Sequence, residues 1–393
     1  MLLPTLKDLS LKSQRVLVRE DLNVPLENGH IVSDARLLAA LPTLKYALAQ
    51  GAAVIVLSHL GRPSEGHITP ELSLAPVAKR LQCLLGQPVR FLVDWVDGIE
   101  LLPGELVLCE NVRFQCGEKE NHPALAKKIA ALGDIFVMDA FATAHRREAS
   151  TFGVAQHAQQ AVAGFLLERE VAALSKVLQA PARPLLAIVG GSKVSTKLSV
   201  LSTLLDQVDA LIVGGGIANT LLAAKGYSLG RSLVEHEALN EATELLSLAQ
   251  KRQVQLLLPV DAIVANTAIP TAKTYCRRIT EVREDERVLD IGPATIECCV
   301  QAIAASATIL WNGPVGVFEM APFAVGTGTI AKAIADSEAF SVAGGGDTLA
   351  AIEKFSVGEQ ISYISTGGGA FLAFIEGKSL PILMLLMARA DKT

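Results

Sequence analysis

The sequence predicts an α/β protein of two domains, each built on a parallel sheet. Three observations lead there. At 393 residues the chain outgrows one modest core. Half of its residues are hydrophobic, yet they fall mostly in short runs broken by Gly, Pro or polar clusters, as strands buried on both faces do. Those runs alternate with helix-like stretches almost from end to end.

Taken in order, Val16-Leu17-Val18 reads as the first strand, followed by strands at 53–57, 106–109 and 135–138. Helices are expected near 73–85 and 123–132. The stretch 166–179 is helical in pattern, with Leu167, Val171, Leu174 and Leu178 recurring at helical spacing, and Pro181 and Pro184 end it. A second alternating series starts at Leu185, so the domain boundary is placed at this helix, which acts as connector. Strands at 185–189, 308–310 and 340–343 belong to that series.

Lys plus Arg total 35 against 40 Asp plus Glu, a net charge of −5, which argues against a nucleic-acid binder. The apolar run 380–388 falls well short of the roughly 20 residues a membrane-spanning helix needs. Pro4, Lys7, Asp8 and Lys12 leave no room for a signal-peptide apolar region, so a soluble, cytoplasmic chain is expected. Cys83, Cys109, Cys116, Cys276, Cys298 and Cys299 show neither zinc spacing nor a CxxC, and read as reduced packing residues.

In the first half, arginines recur just past the strand ends: Arg19, Arg62 with His59, Arg113 and Arg146. Ligands of open parallel sheets bind outside the carboxyl ends of the strands. Four strands thus deliver guanidinium groups to one edge, suited to a small, multiply charged anion. Asp21 would repel phosphate, so it meets a substrate hydroxyl or orients an arginine. His59 reads as an anion-binding hydrogen bonder more than as a general base.

In the second half the strand ends carry glycines: Gly190-Gly191, Gly214 to Gly216, Gly292, Gly313, Gly316, Gly344 to Gly346 and Gly367 to Gly369. Repeated at successive strand ends, they suggest a nucleotide cradle of backbone N–H groups and helix N-termini. The loop GGSKVSTK is not a Walker A loop. Ser195 or Thr196 is a candidate helix cap, and Lys193 and Lys197, four apart, are expected on one helical face with an anion between them. Asp347 in GGGDT either caps a helix or holds Mg²⁺ beside phosphates. Glu319 is placed to accept hydrogen bonds from ribose hydroxyls. No convincing base, nucleophile or acid pair stands out, which fits transfer to an acceptor that is already an anion, such as a carboxylate.

Eight motifs in order, VLVREDLNVP, SHLGRP, ENVRF, DAFATAHR, GGSKVSTKL, WNGPVGVFE, GGGDT and STGGGA, make the sequence resemble the phosphoglycerate kinase family over nearly its whole length. The resemblance implies reversible phosphoryl transfer from 1,3-bisphosphoglycerate to MgADP, giving 3-phosphoglycerate and MgATP. It implies a monomer of two Rossmann-like lobes joined by a helix and facing across a cleft, without nucleic-acid or membrane partners. The lobes fall at 1–170 and 185–375, with a linker at 171–184 and a segment at 376–393 returning to the first lobe. By position, Asp21, Asn23, Arg36, His59, Arg62, Arg113 and Arg146 would bind phosphoglycerate, with Arg36 also reaching the transferring group. Lys193 and Lys197 would contact the nucleotide's phosphates and the moving phosphoryl. Gly215, Gly216, Asn312, Pro314 and Val317 would line the nucleoside pocket, with Glu319 on the ribose. Asp347 would hold Mg²⁺, with backbone donors from Gly345, Gly346 and Thr348 and from Gly367 to Gly369.

Ala142, Ala373 and Ile382 depart from the family pattern, which expects Gly, Glu and Gly there. They bear on one turn, on hinge contacts and on docking of the C-terminal segment, whose apolar run leaves self-association open. Two other readings compete. A nicotinamide-dependent dehydrogenase would need a GxGxxG opening and a ribose acid that the chain lacks. A non-catalytic nucleotide binder would be expected to have lost a lysine or Asp347, and all are present.

Overall fold

The computed structural model describes residues 3–390; positions 1–2 and, within the expected C-terminal segment, 391–393 lie outside the described residues. Contacts divide the chain after Ala172 into two units, and the stretch from Ser379 to Ala390 joins the first.

The first unit runs β1 (Arg15–Arg19), a hairpin of β2 (Leu26–Glu27) and β3 (His30–Ile31), α1 (Ala35–Ala49), β4 (Ala53–Leu57), α2 (Ala75–Leu85), β5 (Arg90–Leu92), β6 (Leu106–Cys109), α3 (Pro123–Ala130), β7 (Ile135–Met138), α4 (Val154–His157) and β8 (Gln160–Ala163), then enters α5 (Phe165–Leu178). Every residue of β4, β6 and β7 is buried, because helices cover both faces of a parallel sheet. The strand order is β5-β6-β4-β1-β7-β8. Register pairs Arg19 with both Leu57 and Met138, so the loops opening at Glu20, Ser58 and Asp139 emerge at one level. Helix α2 stops where Gly86 takes a left-handed φ of 70° and returns its N–H to the Gln82 carbonyl.

The second unit runs β9 (Leu185–Val189), α6 (Leu198–Leu205), β10 (Ala210–Val213), α7 (Gly215–Ala224), α8 (Leu239–Lys251), β11 (Gln255–Leu257), β12 (Asp261–Ala265), β13 (Tyr275–Arg278), β14 (Arg287–Ile291), α9 (Pro293–Ala304), β15 (Thr308–Asn312), α10 (Val325–Ala335), β16 (Phe340–Ala343), α11 (Gly346–Phe355), β17 (Tyr363–Ile364) and α12 (Gly368–Ile375). Its parallel sheet has the order β11-β10-β9-β15-β16-β17. From β9 the chain first builds toward β11, then crosses back to β15 and builds the other way. The switch point, where crevices form in open α/β sheets, thus lies between the ends of β9 and β15. A three-stranded antiparallel sheet, β13-β12-β14, has no counterpart in the sequence expectations. Its edge strand β13 is the charged, largely exposed YCRR, which carries no buried-strand signal.

The last helix, α13 (Pro381–Ala390), packs on the first unit against α4 and β8. It buries Ile382, Leu383 and Leu386, and Arg389 donates to the carbonyls of Ala155 and Ala158 at the end of α4. Leu380, Ile382, Leu383 and Leu386 of the apolar run that left self-association open are therefore core, whereas Met384 stays 51% exposed. Ile382 fills space that a glycine would leave empty. Ala142 lies in a 3-10 turn (Phe141–Thr143) without a left-handed φ, so its Cβ is accommodated. Ala373 sits half-buried in α12.

Candidate active site

At the carboxyl edge of the first sheet the arginines meet, in two different roles. Arg19 is fully buried and is not available to a ligand. It donates to Ser150 Oγ at 2.9 Å and to the Glu20 carbonyl at 2.5 Å, and lies 3.4 Å from His59 Nδ1. The expectation of four ligand-facing guanidinium groups fails here, because the last residue of a central strand points into the core. Arg113 is also buried, donating to the Gly61 carbonyl at 2.7 Å and to Glu148 at 3.3 Å. Arg146 leans on the same Glu148 oxygen at 3.5 Å, and Arg36 pairs with Asp21 at 2.5 Å. Arg62 is exposed and without a hydrogen bond or ion pair among the described residues. Asn23 Oδ1 accepts the Gly61 N–H at 2.8 Å, tying the first loop to the second.

His59 is buried among these cations. Burial first, then the charges of Arg19, Arg113, Arg146 and Arg36, push it well below its ordinary range. One imidazole feeling four guanidinium groups places them in a single locale, and a neutral ring there can donate and accept hydrogen bonds. Beneath lies a layer of acids that sequence reasoning missed. Burial raises Glu118 to about 7 and Asp139 to about 6, and burial together with Asp139 raises Glu20 well above its usual range. Glu148, two residues after Arg146, was the one legible signal of this layer.

In the second unit the expected loops converge on the switch point. The stretch from Lys193 to Lys197 is not helical; α6 begins only at Leu198, and neither Ser195 nor Thr196 caps it. The two lysines therefore do not share a helical face. Lys197 folds back instead, its Nζ donating to the carbonyls of Gly190 (2.6 Å) and Asn312 (3.0 Å) and to Asn312 Oδ1 (2.7 Å). Val189 and Asn312 are register partners, so this ammonium sits between the ends of β9 and β15. Burial lowers it to about 8, against the opposing pull of Asp347. Lys193 is exposed.

Asn312 donates its amide to the Gly344 carbonyl at 2.7 Å, and Gly313 N–H donates to Thr348 Oγ1 at 2.8 Å. Both contacts lock the loop after β15 to the start of α11. The N-cap of α11 is Gly345, so Asp347 stands inside the first turn and the capping role fails. Its carboxylate is exposed, with no hydrogen bond among the described residues. Beside it opens a cavity of about 350 Å³ lined by Gly191, Gly215, Gly216, Pro314, Val317, Glu319 and Asp347. A larger cavity of about 1030 Å³, lined by residues such as Tyr227 and Arg278, contains none of the residues expected to hold nucleotide.

Two of the glycines, Gly190 and Gly216, also serve loop packing. A Cβ on Gly190 would strike the Pro314 carbonyl, and one on Gly216 the Ser192 carbonyl. They let loops pack on one another. Gly346, with nothing within 4 Å of its Cβ position, is open to a ligand.

The family model described as phosphoglycerate kinase matches residues 6–378. The chain belongs to the phosphoglycerate kinase family. A phosphoglycerate kinase of Legionella pneumophila is 57% identical over 385 residues, covering 98% of this chain and 97% of that protein. One from Francisella tularensis is 54% identical over 386 residues, covering 98% of each. The solved structure of phosphoglycerate kinase from Coxiella burnetii superposes with a TM-score of 0.95 at 52% identity, over 99% of this chain and 100% of that one. The family match thus spans both the arginine edge and the glycine-rich loops.

Proposed function

We propose that the protein catalyses reversible phosphoryl transfer between 1,3-bisphosphoglycerate and MgADP, giving 3-phosphoglycerate and MgATP, in glycolysis and gluconeogenesis. The observation that carries this reading is Lys197. Its ammonium is held at the switch point, beside a glycine-walled cavity and an unengaged carboxylate. A phosphoryl group in flight has little covalent chemistry for a protein to perform; positioning and charge stabilisation do the work. Oxygens of that group would replace the carbonyls that Lys197 now contacts, with Lys193 adding a second charge.

Arg62, Arg113, Arg146, Asn23, Asp21 and the neutral His59 would bind phosphoglycerate, with Arg36 turned from Asp21 toward the transferring group. Gly215, Gly216, Asn312, Pro314 and Val317 would hold the nucleoside, and Glu319 the ribose. The segment carrying Glu319 is steadied by Lys354, which donates to the Phe318 and Glu319 carbonyls at 2.6 and 3.1 Å. Among the described residues no group of three or more His, Cys, Asp or Glu could hold a metal. Mg²⁺ bound largely by phosphates needs only one or two carboxylates, and Asp347 fits that part, with Gly345, Gly346, Thr348 and Gly367 to Gly369 supplying backbone donors. When bound, the ion would neutralise phosphate charge. No helix among the described residues is long and apolar enough to cross a membrane; we expect a cytoplasmic monomer.

The test is a coupled assay for ATP formation from 1,3-bisphosphoglycerate and ADP with Mg²⁺. Turnover that depends on both substrates is expected. Absence of ATP formation by well-folded protein would overturn the reading.

A further inference from the structure

Glu235 lies in the connection after α7, outside the residues given roles above. Its carboxylate is engaged twice by the lysine loop: one oxygen accepts the Ser195 backbone N–H at 2.9 Å, and the other accepts the Ser195 hydroxyl. Those hydrogen bonds, with a lesser contribution from the Lys193 charge, hold the Glu235 carboxyl below its usual range. The residue is itself anchored. Its backbone N–H donates to Thr220 Oγ1 at 3.0 Å, and that hydroxyl donates to the Gly216 carbonyl at 2.8 Å. Thr220 is fully buried in α7, and Gly216 lines the 350 Å³ cavity.

A chain of hydrogen bonds therefore runs from the cavity wall, through Thr220 and Glu235, to the middle of the loop between Lys193 and Lys197. At its two ends and centre the loop is held by Lys197 on the Gly190 and Asn312 oxygens and by the fully buried Val194, while its polar residues have fewer ties. Ser192, Lys193, Ser195 and Thr196 are exposed, and Thr196 bonds only within the loop, to the Lys193 carbonyl. The two lysines can stabilise a transition state only if their backbone is already in place, because ordering it during reaction would add to the barrier.

We propose that Glu235 is a positioning residue for phosphoryl transfer, fixing the lysine loop against the cavity-lining helix so that Lys193 and Lys197 meet the moving group. This rests on the roles proposed above for those lysines. Glu235 does not line the cavity, so its loss acts on turnover more than on nucleotide binding.

The experiment compares Glu235→Ala, Ser195→Ala, their double mutant, Glu235→Gln and Lys197→Ala in the coupled assay, with ADP affinity by calorimetry and amide exchange of residues 192–197. Glu235→Ala should lower kcat on the order of 10–100-fold, the factor carried by a hydrogen bond to a charged group. The KM and Kd for ADP should change by less than about twofold. The double mutant should be no slower than Glu235→Ala, since the hydroxyl contact that Ser195→Ala removes is one of the two that Glu235→Ala already removes. Glu235→Gln, which keeps an acceptor, should recover part of the rate, and Glu235→Ala should speed exchange in 192–197 selectively. A near-normal kcat, additive losses, or a defect confined to ADP binding would overturn the proposal. An inactive Lys197→Ala beside a fully active Glu235→Ala sinks the tether alone; an active Lys197→Ala sinks the lysine assignment beneath it.

Discussion

The two candidate half-sites, as proposed, would bind anions by opposite means. The first unit uses side-chain charge, with guanidinium groups held in fixed positions by buried carboxylates, such as Glu148 shared by Arg113 and Arg146. The second uses backbone, with loops brought so close that only glycine fits, and a lysine folded onto carbonyls. The difference teaches where each is fragile. A charge lattice fails when one partner is removed, because the other is left buried and uncompensated. A packed-loop cradle fails when a methyl group is added.

The largest effect should come from breaking the lattice. Glu148→Ala leaves two guanidinium groups without their shared carboxylate, one of them buried, so unfolding free energy should fall by about 3–5 kcal/mol. Denaturant melts with a probe in the first unit would measure it; a loss below about 1 kcal/mol would mean the arginines reach water.

On the other side, Lys197→Ala should lower kcat and kcat/KM together, on the order of 10²–10³-fold. A near-normal kcat would make this lysine an ordinary structural one. The same group predicts a pH dependence. Burial lowers its pKa to about 8, so the charged form is lost as pH rises through that value. The kcat/KM, which reports the free enzyme, should decline above about pH 8, and a flat profile to pH 9.5 would contradict an essential free-enzyme ammonium.

Next in size is Gly216→Ala, whose new Cβ would meet the Ser192 carbonyl. Backbone cannot yield as a flexible side chain can. Misplacement of the loop by about 1 Å can cost up to 10²-fold in rate, while phosphoglycerate binding should be untouched. Equal loss of both substrates by calorimetry would show that the half-sites are not separable.

The smallest effect sharpens the first half-site. Arg62 is exposed and makes no ion pair among the described residues, so Arg62→Ala should not unsettle the lattice. It should weaken 3-phosphoglycerate binding by about 2–3 kcal/mol, the scale of a charge-assisted hydrogen bond, and leave ADP affinity unchanged. Arg36→Ala should depress kcat more strongly than Arg62→Ala does; the reverse order in single-turnover rates would reassign the two arginines.

How much of this was legible follows from the physics of each element. Runs such as Ala53–Leu57 announce themselves because a strand buried on both faces must be apolar throughout. The loop chemistry was legible too, since Asp21, His59, Lys193 and Asp347 follow strand ends in motifs whose residue types fit anions. Sequence alone thus determined the fold class, the family resemblance and the candidate residues. It could not tell which guanidinium group faces a ligand. Arg19 and Arg62 look alike on paper, yet one is buried against Ser150 and the other is exposed. Nor could it show that the Lys193–Lys197 stretch stays out of the helix, that Glu148 pairs with two arginines, or that Glu235 reaches Ser195 across 40 positions. Those facts depend on which strand ends and loops become neighbours. Chain spacing fixes periodicity within an element, but burial and pairing are set by contacts between residues far apart in sequence, and only the tertiary structure supplies them.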